Sequence, residues 1–188
     1  MQRNLIFLLL LLMALGFLGA QATQLKDLYP GDEDGSPNNF FVNGDLLYFR
    51  ADSAEAGVEL WVSDGTGQGT RMLLDLNPGD TVAAGNSNPD EFILLGQQLL
   101  FKARNNVNGL ELWTTDGTAE GTLQVSDIQP GSGNGTPFDL LVANGLLYFT
   151  ANDGTNGSEL WTSDGTASGT QLAVEIQPGS GSGNPGNP

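Results

Sequence analysis

The chain has 188 residues, a formal net charge of −16, and neither cysteine nor histidine. The missing cysteines exclude stabilisation by disulfides. Without histidine or cysteine, Ser-His-Asp and Cys-His catalysis and the usual nitrogen- and sulfur-ligated zinc sites are also excluded. The acidic charge repels nucleic acid and anionic membrane surfaces, which makes both poor candidate partners.

Residues 1–22 have the composition of a secretory signal peptide. Arg3 gives a short positive region, residues 5–18 an apolar region, and Ala20-Gln21-Ala22 a small-x-small cleavage site. The rival interpretation is a transmembrane anchor, but the apolar run is short and leads directly into the cleavage site. We therefore expect a secreted, periplasmic or cell-surface protein. Cleavage removes one of six basic residues and none of the 22 acidic ones, so the mature charge is −17.

An internal repeat organises the rest of the chain. A Pro-Gly pair recurs at intervals of 48, 52 and 48 residues, at Pro30, Pro78, Pro130 and Pro178. A unit of about 48 residues is in the range of propeller blades. The four additional residues of the long interval all lie between Gly79 and Pro89, which marks an exposed loop.

Each unit contains four short apolar segments that predict four strands and no helix. A two-residue turn joins the first two strands, at Gly44-Asp45, Gly96-Gln97 and Asn144-Gly145. Gly-x favours a type II′ turn and Asn-Gly a type I′ turn, both typical of tight hairpins. The first two strands are apolar on both faces, as expected of strands buried on both sides.

Residues 26–31 match the fourth strand of a unit, so the chain has thirteen predicted strands. We predict an all-β fold of three four-stranded antiparallel propeller-type blades plus this leftover strand, in a domain of residues 23–179. Residues 180–188 have the composition of a flexible tail. Closed propellers need about four to eight blades. We therefore expect either assembly of several chains, six blades from two chains being the simplest case, or a longer repeat array.

The motif Glu-Leu-Trp-x-x-Asp-Gly-Thr occurs in every unit, at 59–66, 111–118 and 159–166. The tryptophan supplies a large buried area, and Asp-Gly suits a turn. The glutamate is expected to pair with backbone or with the few basic residues; a ring of ligands, one from each unit, is the alternative. The residues assigned this structural role are Glu59, Trp61, Asp64, Gly65, Glu111, Trp113, Asp116, Gly117, Glu159, Trp161, Asp164 and Gly165.

This motif resembles the ELWxxDGT repeat family, found in secreted and surface-associated bacterial proteins and in larger hyalin-like ones. The resemblance covers nearly all of the mature chain. It implies a β-propeller-like repeat array outside the cytoplasm. It brings no catalytic residues with it.

Calcium is the one cofactor that the sequence raises. The segment Gly31-Asp32-Glu33-Asp34-Gly35 resembles half of an Asp-x-Asp-Gly calcium loop, so Asp32 and Asp34 are candidate metal ligands. The pattern does not recur at 131–136, and a solvated acidic loop is the alternative. No other cofactor is expected.

We expect a non-catalytic binding or scaffold module that interacts with a protein or a glycan at or outside the cell surface. The alternatives are a carbohydrate-active propeller enzyme that uses carboxylates, and a calcium-dependent structural adhesive. The loops at 31–37, 79–89 and 131–137 are the expected partner-binding regions, because the chain varies most there.

Overall fold

The computed structural model describes residues 23–31, 33–79 and 85–185, and all regular structure within them is β. Residues 1–22, which are predicted to form a secretory signal peptide, lie outside the described residues. Each unit forms one four-stranded antiparallel sheet in which the strands follow one another in chain order. Three four-stranded antiparallel sheets are what the repeat pattern predicts. In the described ranges there is no helix long and apolar enough to cross a membrane.

The first sheet contains β1 (Asn38–Asn43), β2 (Leu46–Ser53), β3 (Gly57–Ser63) and β4 (Arg71–Leu74). The second contains β5 (Asp90–Leu95), β6 (Gln98–Asn105), β7 (Gly109–Thr115) and β8 (Leu123–Ser126). The third contains β9 (Phe138–Ala143), β10 (Leu146–Asn152), β11 (Ser158–Ser163) and β12 (Gln171–Val174).

The tight hairpins occur at the predicted positions. Asn43 pairs with Leu46, which leaves Gly44 and Asp45 as a two-residue turn. In the third sheet both Asn144 and Gly145 have positive φ, 53° and 77°, as a type I′ turn requires. Gly44 has positive φ, 59°, and Asp45 does not, which fits the type II′ turn expected for Gly-x.

The sheets pack face to face, and the apolar residues between them form two cores. Between the first and second sheets lie Tyr48, Leu60, Val62, Leu73, Leu76, Leu99, Phe101, Ala103 and Trp113. Between the second and third lie Leu95, Leu100, Leu112, Val125, Ile128, Leu147, Phe149, Ala151 and Trp161. The first strands β1, β5 and β9 lie beside one another. The sheets therefore approach most closely along that edge.

The leftover strand is not formed, and this part of the prediction is wrong. Residues 26–30 have no strand structure, because the described chain holds no third strand of a preceding unit with which they could pair. Leu28 nevertheless packs on Phe49, Ala51 and Trp61 of the first sheet. Its counterpart one unit later, Leu76, packs in the same way on the second sheet. The segment therefore covers part of the outer face of the first sheet without extending it, and leaves Phe40 and Val42 of β1 55 and 67% exposed.

Part of the segment predicted as a flexible tail makes hydrogen bonds to the third unit. The Ser158 N–H donates to Ser182 Oγ at 3.0 Å, and the Asn184 N–H donates to the Ser158 carbonyl at 3.2 Å. The Thr136 N–H donates in the same way to the Leu110 carbonyl in the preceding unit. Residues 182–184 therefore lie against the start of β11, as residues 134–136 lie against the start of β7.

Replacement of Leu28 by alanine tests the role of the N-terminal segment. Leu28→Ala is expected to lower the free energy of unfolding by about 2–4 kcal/mol, because a side chain only 6% exposed is removed from an apolar contact. Val107→Ala, at a position 73% exposed, is the control and should change it by less than about 0.5 kcal/mol. Urea unfolding followed by tryptophan fluorescence measures both. Equal stability of the two variants would contradict the packing of this segment on the first sheet.

Candidate functional site

The glutamate of each repeated motif is fully buried and bonded to backbone. Glu59, Glu111 and Glu159 are each 0% exposed. Glu111 Oε2 accepts the Ile128 N–H at 2.9 Å, and its Oε1 accepts the Gly135 N–H at 2.7 Å and the Gln129 N–H at 3.3 Å. A glutamate on the third strand thus holds the end of the fourth strand and the loop that leads to the next unit.

The same arrangement recurs in the third unit. Glu159 accepts the N–H groups of Ile176 at 2.7 Å, Gln177 at 3.2 Å and Gly183 at 3.0 Å. The position held by Gly135 and Gly183 lies against the carboxylate, and an added Cβ there would stand 2.5 Å from one of its oxygens. Glycine at this position is therefore a consequence of the close approach of the loop to the glutamate.

In the first unit, a serine instead of a glycine lies against the glutamate carboxylate. Ser87 occupies the position of Gly135, after the longer loop, and donates both its N–H and its hydroxyl to Glu59, at 3.0 and 2.6 Å. The Leu76 N–H completes the set at 3.1 Å. The Ser87 side chain thus contacts the Glu59 carboxylate through a hydrogen bond.

Burial raises the pKa of both Glu59 and Glu111 from the ordinary value of 4.5 to about 7. The hydrogen bonds from backbone N–H groups, and for Glu59 also from the Ser87 hydroxyl, favour the ionised form and offset part of this effect. A carboxyl with such a pKa is a candidate general acid or base. These two are buried and surrounded by their backbone donors, so they have no free path to a substrate.

The loop is also held at the start of the third strand. The Leu110 N–H donates to Asn134 Oδ1 at 3.0 Å, and the Val58 N–H donates to Asn86 Oδ1 at 2.8 Å. Sequence reasoning missed these side-chain acceptors, because the residue type at the position is not constant. The position is filled by Asn86, Asn134 and Ser182 in the three units. The position in the repeat, two residues before Asn88, Thr136 and Asn184, is the signal that could have identified it.

The Asp-Gly-Thr residues form a closed turn. Asp116 Oδ1 accepts the N–H of Thr118 at 2.9 Å and its hydroxyl at 2.7 Å, and these bonds lower the pKa of Asp116. The hydroxyl oxygen of Thr118 in turn accepts the Gly121 N–H at 2.9 Å. An added Cβ at Gly121 would overlap the Asp116 carboxylate. Asp64 and Asp164 make the same bonds in their units.

The three tryptophans lie in the apolar layers. Trp61, Trp113 and Trp161 are 6, 7 and 9% exposed. The Trp113 indole N–H donates to the Ala103 carbonyl at 3.1 Å. The tryptophans thus contribute to the apolar layers on the faces of the three sheets.

The candidate calcium ligands are not brought together into a site by the described residues. Asp32 lies outside them, and Asp34 is exposed. The carboxylate of Asp153, on another loop, accepts from the N–H groups of Thr155 and Asn156 and from the Asn156 amide. In the part of the chain that the structure describes, no group of three or more acidic residues is placed to hold a metal ion.

The outer face of the third sheet is apolar and open. It carries Leu141, Leu146, Tyr148, Leu160, Thr162, Val174 and Ile176, of which Leu141, Val174 and Ile176 are 63, 46 and 49% exposed. The corresponding positions of the first sheet, Phe41, Leu46, Tyr48, Leu60, Val62, Leu74 and Leu76, lie in the core against the second sheet. We call the seven residues of the third sheet the open face.

Comparison with known proteins gives no family for this chain. No protein-family model and no curated protein sequence matches it. The computationally designed Ika8 protein has a TM-score of 0.44 at 13% identity, covering 87% of this chain and 43% of that one. An alpha-L-arabinofuranosidase (CtGH43) from Clostridium thermocellum ATCC 27405 has a TM-score of 0.36 at 15% identity, covering 79% and 55%. The chain spans about half the length of these structures, and at these scores neither similarity assigns it an activity.

Removal of a motif glutamate should be costly. Glu111→Ala leaves three N–H groups without their acceptor, and each buried unsatisfied group costs about 1–3 kcal/mol. We expect a loss of at least about 3 kcal/mol in the free energy of unfolding. Glu120→Ala, at an exposed position of the neighbouring turn, is the matched control and should leave it nearly unchanged. Denaturant titration of both variants measures the difference. A small effect of Glu111→Ala would show that the carboxylate does not hold the loop.

The raised pKa of Glu59 and Glu111 predicts a pH dependence of stability. Between the unfolded value of 4.5 and the folded value of about 7, the folded chain binds more protons than the unfolded chain. The free energy of unfolding should therefore fall as the pH rises through this window, by about 3 kcal/mol for each carboxyl, and should level off above it. Thermal unfolding across the window tests this. Glu111→Gln should show a smaller slope than the parent chain, and an unchanged slope would count against the assignment.

Proposed function

We propose that the chain is an exported, non-catalytic binding and scaffold module built of three propeller-type blades, with the open face as its docking surface. The observation that carries the proposal is the exposure of apolar residues at positions that the next sheet covers in the first two units. Leu60 and Leu112 are 0% exposed between sheets, whereas their counterpart Leu160 is only half-buried. Large exposed apolar patches are typical of interaction surfaces.

Two further observations support the blade arrangement and export. The sheets approach most closely along their first strands, as blades do around an axis. Residues 1–22 have the composition of a secretory leader, and the absence of cysteine leaves the chain indifferent to the redox state of its compartment.

The buried carboxylates favour a binding role over the alternative of carbohydrate chemistry. The motif glutamates hold backbone N–H groups and cannot meet a substrate without unfolding the loop. The open face is mainly aliphatic, and it carries one aromatic side chain, that of Tyr148. Aliphatic surface suits another protein surface better than a glycan, which needs hydrogen-bonding groups or stacked aromatic rings. We therefore favour a protein partner.

Binding of a neutral apolar dye tests the docking surface. Nile red fluorescence at low protein concentration should fall several-fold in the double variant Val174→Asp and Ile176→Asp, because two charges interrupt the open face. Leu123→Asp, at a position 58% exposed on β8, is the matched control and should retain the fluorescence. Circular dichroism checks that both variants are folded. Equal fluorescence in the two variants would contradict the proposal.

A further inference from the structure

The chain enters its first sheet through a segment that has the backbone geometry of the connections between units. We call residues 27–36 the N-terminal joint; Asp32 is the one residue of it that lies outside the described residues. The Gly35 carbonyl accepts the Asp52 N–H at 2.7 Å, and the corresponding bond to the Gly135 carbonyl, in the third unit, is 2.8 Å long. The end of the joint is thus bonded to its sheet as the later connections are.

Two further measures of this geometry agree. A Cβ added at Gly35 would stand 2.7 Å from the Leu28 Cβ, and one added at Gly135 would stand 2.8 Å from the Ile128 Cβ. The next residue has a positive φ, which is uncommon without glycine. Its values are 42, 47, 46 and 42° for Ser36, Asn88, Thr136 and Asn184. The N-terminal joint therefore has the backbone conformation that surrounds a motif glutamate elsewhere in the chain.

The N-terminal joint differs from the later connections because it has no motif glutamate. The three N–H groups that donate to Glu111 belong to residues 17, 18 and 24 positions beyond it. Their counterparts in the joint are the N–H groups of Leu28, Tyr29 and Gly35, none of which donates to a described residue. Residues 1–26 contain no aspartate or glutamate, so they have no side-chain carboxylate to offer. The joint thus holds backbone donors in the arrangement that binds a carboxylate.

The joint also presents the groups that bind the main chain of a third strand. At the start of β7, the Leu110 N–H donates to Asn134 Oδ1 at 3.0 Å, and the Leu110 carbonyl accepts the Thr136 N–H at 3.1 Å. Asp34 and Ser36 take the positions of these two partners. Both are exposed, and neither the Asp34 carboxylate nor the Ser36 N–H is bonded to a described residue. The joint therefore fits an extended segment in which a glutamate follows the residue bonded here.

Charge determines which residues can lie beside that glutamate. Asp27, Glu33 and Asp34 are exposed, whereas Lys26 donates to the Thr70 carbonyl. The exposed carboxylates repel a segment that is acidic throughout and attract lysine or arginine. The three motif segments of this chain have no basic residue within four positions of their glutamates, and each is already bound within its own unit. A second copy of the chain therefore does not fit the description.

We propose that the N-terminal joint binds a partner polypeptide, whose extended segment places a glutamate flanked by lysine or arginine against the N–H groups of Leu28, Tyr29 and Gly35. The residue before this glutamate bonds to Asp34 and Ser36 through its main chain, and the basic side chains face the exposed carboxylates. Main-chain hydrogen bonds supply affinity and the charges supply specificity, as in other sites that add an extended segment. The site lies on the first sheet and does not depend on the open face of the third.

Titration of the full chain with a peptide, followed by the NMR signals of the backbone amides, tests the site. The probe is Thr-Lys-Val-Glu-Val-Lys-Thr with both ends blocked, and we expect saturable shifts for Leu28, Tyr29 and Gly35. A peptide with glutamine in place of glutamate should bind about tenfold more weakly, because a charged acceptor is lost. Raising the salt from about 50 to 500 mM should also weaken binding.

Three results of this titration would overturn the proposal. The first is the absence of shifts at the three amides. The second is equal binding of the parent peptide and of either the glutamine peptide or one with serine in place of both lysines. The third comes from acetate, which supplies a free carboxylate: half-saturation by acetate at the concentration that suffices for the peptide would show a site for small carboxylates instead of a polypeptide.

Variants of the joint test the individual contacts. Asp34→Ala removes the acceptor for the main chain of the peptide and should weaken binding several-fold. Asp34→Asn keeps an acceptor, as Asn86 and Asn134 do, and should retain binding in about 500 mM salt, where charge is screened. Asp45→Ala removes an exposed carboxylate from the first hairpin and is the control for charge.

Gly35→Ala places a Cβ against the carboxylate position and should abolish binding. Thermal unfolding checks that each variant keeps the stability of the parent chain, and Asp34 is exposed, so its variants remain informative if Gly35→Ala does not fold. Equal binding by Asp34→Ala and Asp34→Asn in high salt, or peptide binding by a folded Gly35→Ala chain at parent strength, would contradict the proposed geometry.

Discussion

The fold depends on a buried carboxylate that holds backbone at a distance along the chain. Glu111 lies on the third strand of its sheet and accepts N–H groups 17, 18 and 24 residues later. One side chain thus fixes both the end of the fourth strand and the entrance to the next sheet. The chain has no disulfide and no described metal cluster, so this contact and the apolar layers hold neighbouring sheets in register. A glutamate without those N–H groups would be an expensive buried charge, and the N–H groups without it would be unsatisfied.

Much of the fold could be predicted from the sequence, because its repeat is regular. The three sheets, their hairpin turns and the burial of the tryptophans all follow from positions that recur with the same residue types. The leftover strand could not be predicted correctly from residues 26–31 alone, since their similarity to a fourth strand says nothing about whether a pairing partner exists. The contacts of residues 182–184 could not be predicted either. Gly, Ser and Asn have the composition of a flexible tail, and the same small residues suit the close approach to Glu159.

The site was harder to predict than the fold. Sequence reasoning assigned the motif glutamates a structural role but could not name their partners, because backbone N–H groups are present whatever the residue type. The residues of the open face could not be named for a related reason. Leu60, Leu112 and Leu160 occupy the same position of the repeated motif. Only the arrangement of the sheets shows that a following sheet packs on Leu60 and on Leu112, whereas none in the described chain packs on Leu160.

The contacts of the motif glutamate have a consequence for how such a chain can change over generations. Most of its partners are main-chain N–H groups. The backbone conformation of the loop is therefore constrained, whereas its amino-acid sequence is constrained much less. The segments Asn86-Ser87, Asn134-Gly135 and Ser182-Gly183 meet the same requirement with different side chains, and the first tolerates four inserted residues upstream. Repeated units can therefore differ in the sequence of their loops while the hydrogen bonds that connect one unit to the next are kept. New surfaces can arise there without a new framework.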